Sequence, residues 1–419
     1  MEKIITPSNI SGEIYIPSSK SQTIRALLIA TFAKGKSVIK NALISNDTIS
    51  CINACKAFGA IITKEENSLI IDSTNVREKT SPITIDCENS GTTLYLSLGL
   101  AAYLESEVTF TGDASLKKRP IGPLLNAYRN LGCSVSDTNY PPFTIKGPIT
   151  KNKAIIDCPT SQYLSSLLLA SCVAKTDVEI ITPLLYEKPY VQLTLEWMKN
   201  QNFDFSISKD LQHSFIKGNQ KYKPIDVTIS GDYSSATFFF ALAAIGKTSI
   251  TIKGLEKDDP QGDKHTLDIL EEMGCLVEWG ENLVKVTGPD KLKGGTFSLN
   301  SMPDALPALS VVAAFSSEKV VFNNVAQARL KETDRITTMR KNLERLQVKV
   351  KELPDGIEIY GNGKIEGGFV KGYDDHRIIM AMAIAALNAT SPITIDDISA
   401  VSVTFPTFFE LIEKLKVKK

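Results

Sequence analysis

The 419-residue sequence repeats itself about every 70 residues. Six times a short polar knot leads into an Ala/Leu/Ile-rich stretch and then into a β-branched one. The knots are anchored at Ser19 (SSKS), Asn89 (ENSGTT), Thr160 (TSQ), Asp232 (GDYSS), Pro303 (MPD) and Asp374 (DDHR), in steps of 70, 71, 72, 71 and 71. The β-branched runs open at Val38, Val108, Val178, Ile250, Val320 and Ile393, in steps of 70, 70, 72, 70 and 73. A period of this kind signals one supersecondary unit used repeatedly.

Each unit reads helix, strand, helix, strand, strand. The first helix is apolar nearly all round, as in YLSSLLLASCVA (Tyr163–Ala174) and IIMAMAIAAL (Ile378–Leu387), and such a helix is buried. The second is amphipathic, as in HTLDILEEMG (His265–Gly274). In five copies it stops near Gly59, Gly132, Asn202, Gly274 or Gln347, a Gly or an Asn or Gln in its place, where a helix end takes up left-handed φ. Hairpin turns follow at Glu65-Glu66-Asn67, Gly280-Glu281-Asn282 and Pro354-Asp355-Gly356. The sixth unit ends on FFELIEKL (Phe408–Leu415) without closing strands, while Ile4–Ile16 reads as a spare strand pair. We therefore expect the N-terminus to complete the last unit. The result is an α/β protein of two domains with three units each, residues 1–18 plus 230–419 and residues 19–229, with Lys217–Pro224 as the crossover. A solenoid with no chemistry would have the same spacing. Against it, every knot carries a different charged or reactive set.

The length exceeds one ordinary domain, and a hydrophobic content of 43% is ample for a core. The 47 Lys and Arg balance 47 Asp and Glu, which argues against a broad grip on nucleic acid or an anionic membrane. Seven scattered Cys predict reduced thiols of a cytosolic protein rather than a disulfide framework. His213, His265 and His376 are the three His, none beside a CxxC, and speak against a zinc site. Met1–Ile10 lacks a basic-then-apolar leader, and runs such as Phe238–Ile245 are shorter than the roughly 18 apolar residues of a membrane span. The expectation is a soluble, cytoplasmic protein without metal or organic cofactor, acting on small molecules and not on nucleic acid or membrane.

Helices that begin at Ser, Thr, Asn, Asp or Gly offer free N–H groups and a positive dipole end to anions. To these the sequence adds Lys20 and Arg25 at the first knot, Arg119 in TGDASLKKRP, Lys331 and Arg335 in RLKETDR, and His376 with Arg377 in DDHR. Neutral overall, the chain is expected to hold a local excess of Lys and Arg at its helix mouths, suited to phosphates and carboxylates. Simpler readings stay open for each motif. SSKS is a common helix cap with Lys20 in solvent. NSGT could be a tight turn, although Gly91 also allows close approach to a ligand. Lys331 and Arg335, four apart, could share a solvated helix face. Asp304 is either an N-cap or a general base.

The order of the motifs is more specific than any one of them. SKSxxxR, NSGT, TGDxSLxxRP, SQ, GDxSSA, MPD, RLKETDR and DDHR, in succession over essentially the whole chain, closely resemble the 5-enolpyruvylshikimate-3-phosphate synthase family. The resemblance implies two domains forming an inside-out α/β barrel, six βαβαββ units, three per domain, around buried parallel helices, with the active site in the interdomain cleft. It implies transfer of the enolpyruvyl group of phosphoenolpyruvate to the 5-hydroxyl of shikimate 3-phosphate with release of phosphate, by a monomer without cofactor. Carried onto this sequence, it assigns shikimate 3-phosphate to Lys20, Ser21, Arg25, Thr160, Ser161, Gln162, Asp304, Gln327 and Lys331. Phosphoenolpyruvate falls to Lys20, Gly91, Arg119, Gln162, Arg335 and Arg377. Asp304 is the expected base, with Glu332 and Lys20 moving the methylene proton.

Four positions depart from the family pattern. Tyr95 and Val403 stand where an Arg and a Lys near phosphoenolpyruvate are expected, Gln327 replaces an Asn, and Glu187 replaces a Ser that helps hold the phosphate. An ionised Glu187 would repel that phosphate unless Lys188 compensates. A related transferase acting on a nucleotide sugar uses a loop Cys as acid, and Ala114-Ser115-Leu116 offers none. A weakened anion-binding relative is the non-enzymatic alternative.

Overall fold

The computed structural model describes residues 1–76 and 81–417. The chain forms a continuous body, Ser18–Ile229, and a discontinuous one, Met1–Pro17 with Ser230–Lys419. Each has its own hydrophobic core, one drawn from Ile24 to Ile229 and the other from Ile5 to Leu415.

Buried and amphipathic helices alternate. The continuous body holds α1 (Lys20–Phe32), α2 (Asn46–Phe58), α3 (Gly91–Ala101), α4 (Gly122–Asn130), α5 (Ser161–Cys172) and α6 (Lys188–Asn200). The discontinuous body holds α7 (Tyr233–Gly246), α8 (Thr266–Glu272), α9 (Leu306–Ala314), α10 (Arg335–Arg345), α11 (His376–Leu387) and α12 (Phe408–Leu415). Every residue of α3, α9 and α11 is buried, because a helix apolar on all sides has no face to offer water. α7, α9 and α11 pack on one another, and α3 packs on both α1 and α5. The helix stops are left-handed as expected, with φ of 109° at Gly59, 93° at Gly132, 56° at Asn202, 105° at Gly274 and 61° at Gln347.

Among the described residues five of the six sheets share one four-stranded plan, and the sixth has three strands. In the fifth repeat Gly295–Ser298 runs parallel to Lys319–Asn323, which pairs antiparallel with Gly356–Tyr360, itself antiparallel to Lys349–Leu353. The ends of the chain are shared out differently from the expectation. Lys3–Ile5 closes the sixth sheet against Ile393–Ile395, but Gly12–Tyr15 opens the fourth, parallel to Ser249–Lys253. Ile4–Ile16 is thus not a pair serving one sheet. The reason is topological: the sixth sheet lacks a closing strand, and the fourth lacks the parallel strand that its neighbours take from upstream. Asp226–Thr228 fills the equivalent place in the first sheet, parallel to Lys36–Lys40. The chain consequently leaves the continuous body after Ile229 and not at Lys217–Pro224. That polar stretch belongs to the body, where buried Tyr222 donates its hydroxyl to the Leu169 carbonyl at 2.8 Å.

α3 and α5 meet where Gly99 lets the Ser166 backbone come close. A Cβ at Gly99 would lie 2.5 Å from the Ser166 carbonyl oxygen and 3.0 Å from the Tyr128 hydroxyl. Alanine gains about 1 kcal/mol of helix propensity over glycine, but a backbone oxygen inside a packed core cannot yield. Gly99→Ala is expected to lose roughly 1–2 kcal/mol net, read as a lower urea midpoint; an unchanged midpoint would contradict the close approach.

Candidate active site

In the discontinuous body the site is built at the mouths of α9, α10 and α11. Asp304 sits in a 3₁₀ turn, Pro303–Ala305, leading into α9, and does not cap that helix. Its carboxylate accepts from Arg335 Nη1 at 2.7 Å and faces Arg377 Nη2 at 3.3 Å and Lys331 Nζ at 3.7 Å. Arg335 is 1% exposed and also gives Nε to Asp375 at 2.8 Å and Nη2 to Glu332 at 2.6 Å. Asp375 caps α11 by accepting from the Arg377 N–H at 2.9 Å. Arg377 donates to Ser234 Oγ at 2.7 Å, on the first turn of α7.

Burial alone would lower the Arg335 pKa; Asp375, Glu332 and Asp304 outweigh it and hold the guanidinium well above its ordinary value. For Arg377 too, burial is opposed by Asp304, and the net direction is upward. Both remain cations. The expected surplus of positive charge is nevertheless absent from this cluster: three cations, Lys331, Arg335 and Arg377, meet three carboxylates, Asp304, Glu332 and Asp375. Nor do Lys331 and Arg335 share a solvated helix face. Asp334 is the N-cap of α10, so Lys331 precedes the helix while Arg335 opens it, buried. Gln327 is buried in a 3₁₀ turn, its Nε2 bonded to the Asn300 carbonyl at 3.0 Å.

His376 is not the cation the sequence suggested. It is 2% exposed, and burial pushes its pKa down from 6.5 to about 3, despite Glu332 and Asp375 nearby. The unfolded chain takes up this proton near pH 6.5 and the folded one only near 3. Stability from this group is therefore full above pH 6.5 and falls, by about 1.4 kcal/mol per pH unit at most, as pH drops towards 3. His376→Asn is expected to flatten the acid limb of stability against pH. Parallel limbs for the two proteins would contradict a neutral buried imidazole.

The continuous body gathers the remaining residues at the mouths of α1, α3 and α5. Ser19 caps α1 and Lys20 pairs with Asp47 at 3.1 Å, so the capping reading of SSKS holds while Lys20 is not left in solvent. Arg25, 1% exposed, donates to Thr194 Oγ1 at 3.0 Å and to the Ser21 and Tyr190 carbonyls at 3.0 and 3.3 Å. All three hydrogen-bond acceptors are neutral oxygens. Burial lowers its pKa to about 10, which still leaves it charged at pH 7. Ser90 caps α3, and a Cβ on Gly91 would stand 3.0 Å from Arg119 Nη1 and 3.4 Å from the Tyr95 ring. Gly91 thus makes room for Arg119, whose Nη2 reaches Asn89 Oδ1 at 3.0 Å. Tyr95 packs edge-on against Tyr163 at 5.3 Å between centroids.

At α5, Thr160 is the N-cap and Gln162 follows, its Oε1 buried without a hydrogen-bond partner among the described residues. Here the structure holds a carboxylate. Glu187 Oε2 accepts from Thr160 Oγ1 at 3.1 Å, Ser161 N at 3.2 Å and Ser161 Oγ at 3.0 Å. Glu187 is 3% exposed and has a left-handed φ of 56°.

Sequence reasoning missed Asp47 and Asp375 as partners of Lys20 and Arg335, and Thr194 and Tyr190 as partners of Arg25. Asp375 had a signal, an acid at the start of an apolar helix. Thr194 had none, lying 169 residues from Arg25. All seven Cys are buried and free, and burial raises the thiols of Cys133 and Cys275 to about 12, which removes them as nucleophiles or acids near pH 7. No cluster of His, Cys, Asp and Glu suited to a metal, and no helix long and apolar enough to cross a membrane, is found among the described residues.

A family model described as EPSP synthase (3-phosphoshikimate 1-carboxyvinyltransferase) matches residues 4–412. A 3-phosphoshikimate 1-carboxyvinyltransferase of Ruminiclostridium cellulolyticum is 43% identical over 412 residues, covering 98% of this chain and 97% of its own. One from Methanosarcina acetivorans is 37% identical, covering 100% and 98%. Among solved structures, EPSP synthase from Acinetobacter baumannii superposes with a TM-score of 0.83 at 25% identity, covering 100% of this chain and 98% of the other.

Proposed function

The chain belongs to the 3-phosphoshikimate 1-carboxyvinyltransferase family, and from that premise we propose that the helix mouths of both bodies serve its two anionic substrates. The reaction moves the enolpyruvyl group of phosphoenolpyruvate to the 5-hydroxyl of shikimate 3-phosphate and releases phosphate, within aromatic amino-acid biosynthesis. Lys20, Ser21, Arg25, Thr160, Ser161, Gln162, Gln327 and Lys331 take the shikimate phosphate and ring. Gly91, Arg119, Gln162, Arg335 and Arg377, with Lys20, take phosphoenolpyruvate. The observation that carries the acceptor side is Arg25: a buried cation among neutral oxygens is costly to keep unless an anion joins it.

Protonation of the methylene carbon leaves a cationic centre at C2, the 5-hydroxyl oxygen adds there, and Asp304 accepts the hydroxyl proton. Loss of a methyl proton and of the C2–O bond to phosphate restores the double bond. Glu332 and Lys20 carry the methylene proton in and out. The ion pairs to Arg335, Arg377 and Lys331 support this role for Asp304, because they hold its carboxylate in one position and orientation. The seven free, buried thiols support a reducing cytoplasm, and the enzyme is taken to act as a monomer. The test is product identity. Phosphorus and proton NMR of a reaction with both substrates should show the enolpyruvyl ether of shikimate 3-phosphate. Replacing the acceptor by a nucleotide sugar should give no product; product with the sugar alone would overturn the assignment.

A further inference from the structure

Glu187 occupies the place that the proposed function gives to a phosphate. Its carboxylate draws three donors at the N-terminus of α5, where the dipole and a free N–H favour negative charge. The donors are those of Thr160 and Ser161. The residue reaches them from a left-handed backbone, φ 56° and ψ 40°, that non-glycine residues seldom adopt and that persists only where the surroundings hold it. An ionised carboxylate is acceptor-only, as a phosphate oxygen is, so the two present the same face to these donors.

We propose that Glu187 is a tethered internal competitor for the acceptor's phosphate: it fills the Thr160–Ser161 anion site when the enzyme is empty and must leave before shikimate 3-phosphate binds. This rests on the reading that Thr160 and Ser161 hold that phosphate. Two consequences follow from having the competitor on the chain. The buried donors are never left unsatisfied in the empty enzyme. The site also becomes selective, because an acceptor without a dianionic group cannot displace a carboxylate already seated, and apparent affinity falls in proportion to the fraction of enzyme in which the site is open. The expectation of simple repulsion between Glu187 and the phosphate is thereby sharpened: the two exchange places on one set of donors.

The experiment is calorimetric titration of shikimate 3-phosphate into the full chain and its variants, with steady-state KM values alongside. Glu187→Ser is expected to lower the dissociation constant at least about tenfold, as for a site that is open in roughly one molecule in ten. The isosteric Glu187→Gln should lower it by a smaller factor, and KM for phosphoenolpyruvate should move by less than about threefold in either. Glu187→Ser also restores the hydroxyl that the family pattern gives to the phosphate, so Glu187→Gln decides: damage to a merely structural residue weakens binding, whereas removing a seated competitor tightens it without that hydroxyl. Ser161→Ala in the Glu187→Ser background should weaken binding again. If Glu187→Gln fails to tighten binding while Ser161→Ala still weakens it, the competitor is overturned and the phosphate site stands. If Ser161→Ala has no effect in either background, the phosphate site itself is overturned, and the competitor with it.

Discussion

Arg335→Met is expected to cost about 3–5 kcal/mol of folding stability and to abolish measurable turnover. The side chain is 1% exposed and anchors Asp304, Glu332 and Asp375 at 2.6–2.8 Å. Removing it leaves three carboxylates facing one another, with Lys331 and Arg377 the cations that pair with Asp304 among the described residues. Breaking a buried pair from one side is far costlier than its net worth when intact, because the remaining charges stay desolvated. Arg335→Lys should not rescue it: an ammonium cannot present the planar fork that serves three acceptors at once. Urea unfolding followed by phosphate release on the folded fraction measures both effects. A loss under about 1 kcal/mol would mean that the cluster does not organise these helix mouths.

Asp304→Asn is the second large effect, and it should fall on kcat. As the proposed base for the attacking hydroxyl, Asp304 is expected to contribute a factor of roughly 10²–10⁴. The amide is isosteric and can still accept from Arg335, so the fold should survive. It also removes one of three negative charges from around Arg335 and Arg377, so KM for phosphoenolpyruvate should stay level or fall. A lower kcat with unchanged or lower KM separates lost proton transfer from lost binding. A kcat within about tenfold of the parent would assign the base elsewhere.

The repeat made most of the fold legible. Its spacing located the buried helices, and the left-handed stops came out of sequence alone, Gly59, Gly132 and Gly274 because glycine dominates that backbone state and Asn202 and Gln347 because they fall at the same place in the repeat. Destinations of strands were less legible. Lys3–Ile5 and Gly12–Tyr15 look alike in sequence, and what sends one to Ile393–Ile395 and the other to Ser249–Lys253 is which sheet is short of which strand.

At the site, residue types were readable and their ionic partners were not. Arg335 and Arg377 stood out as charges beside apolar helices, but His376 beside them reads identically, and only its complete burial distinguishes a neutral ring from a cation. The cationic excess is absent from the cluster at α9, α10 and α11 for the same reason, since nothing in the DDHR motif marks Asp375 as a partner for Arg335, 40 residues upstream. Glu187 was recognisable as a departure, yet that its carboxylate would lie on the Thr160 and Ser161 donors depends on a backbone turn no local pattern specifies.

The most direct measurement is phosphate release by the full chain supplied with phosphoenolpyruvate, shikimate 3-phosphate or both. Release is expected only with both present, and it should slow at least about a hundredfold in Asp304→Asn while that variant still binds shikimate 3-phosphate. A folded chain that binds shikimate 3-phosphate but releases no phosphate with both substrates, or that releases it equally well from phosphoenolpyruvate alone, would contradict enolpyruvyl transfer at this site.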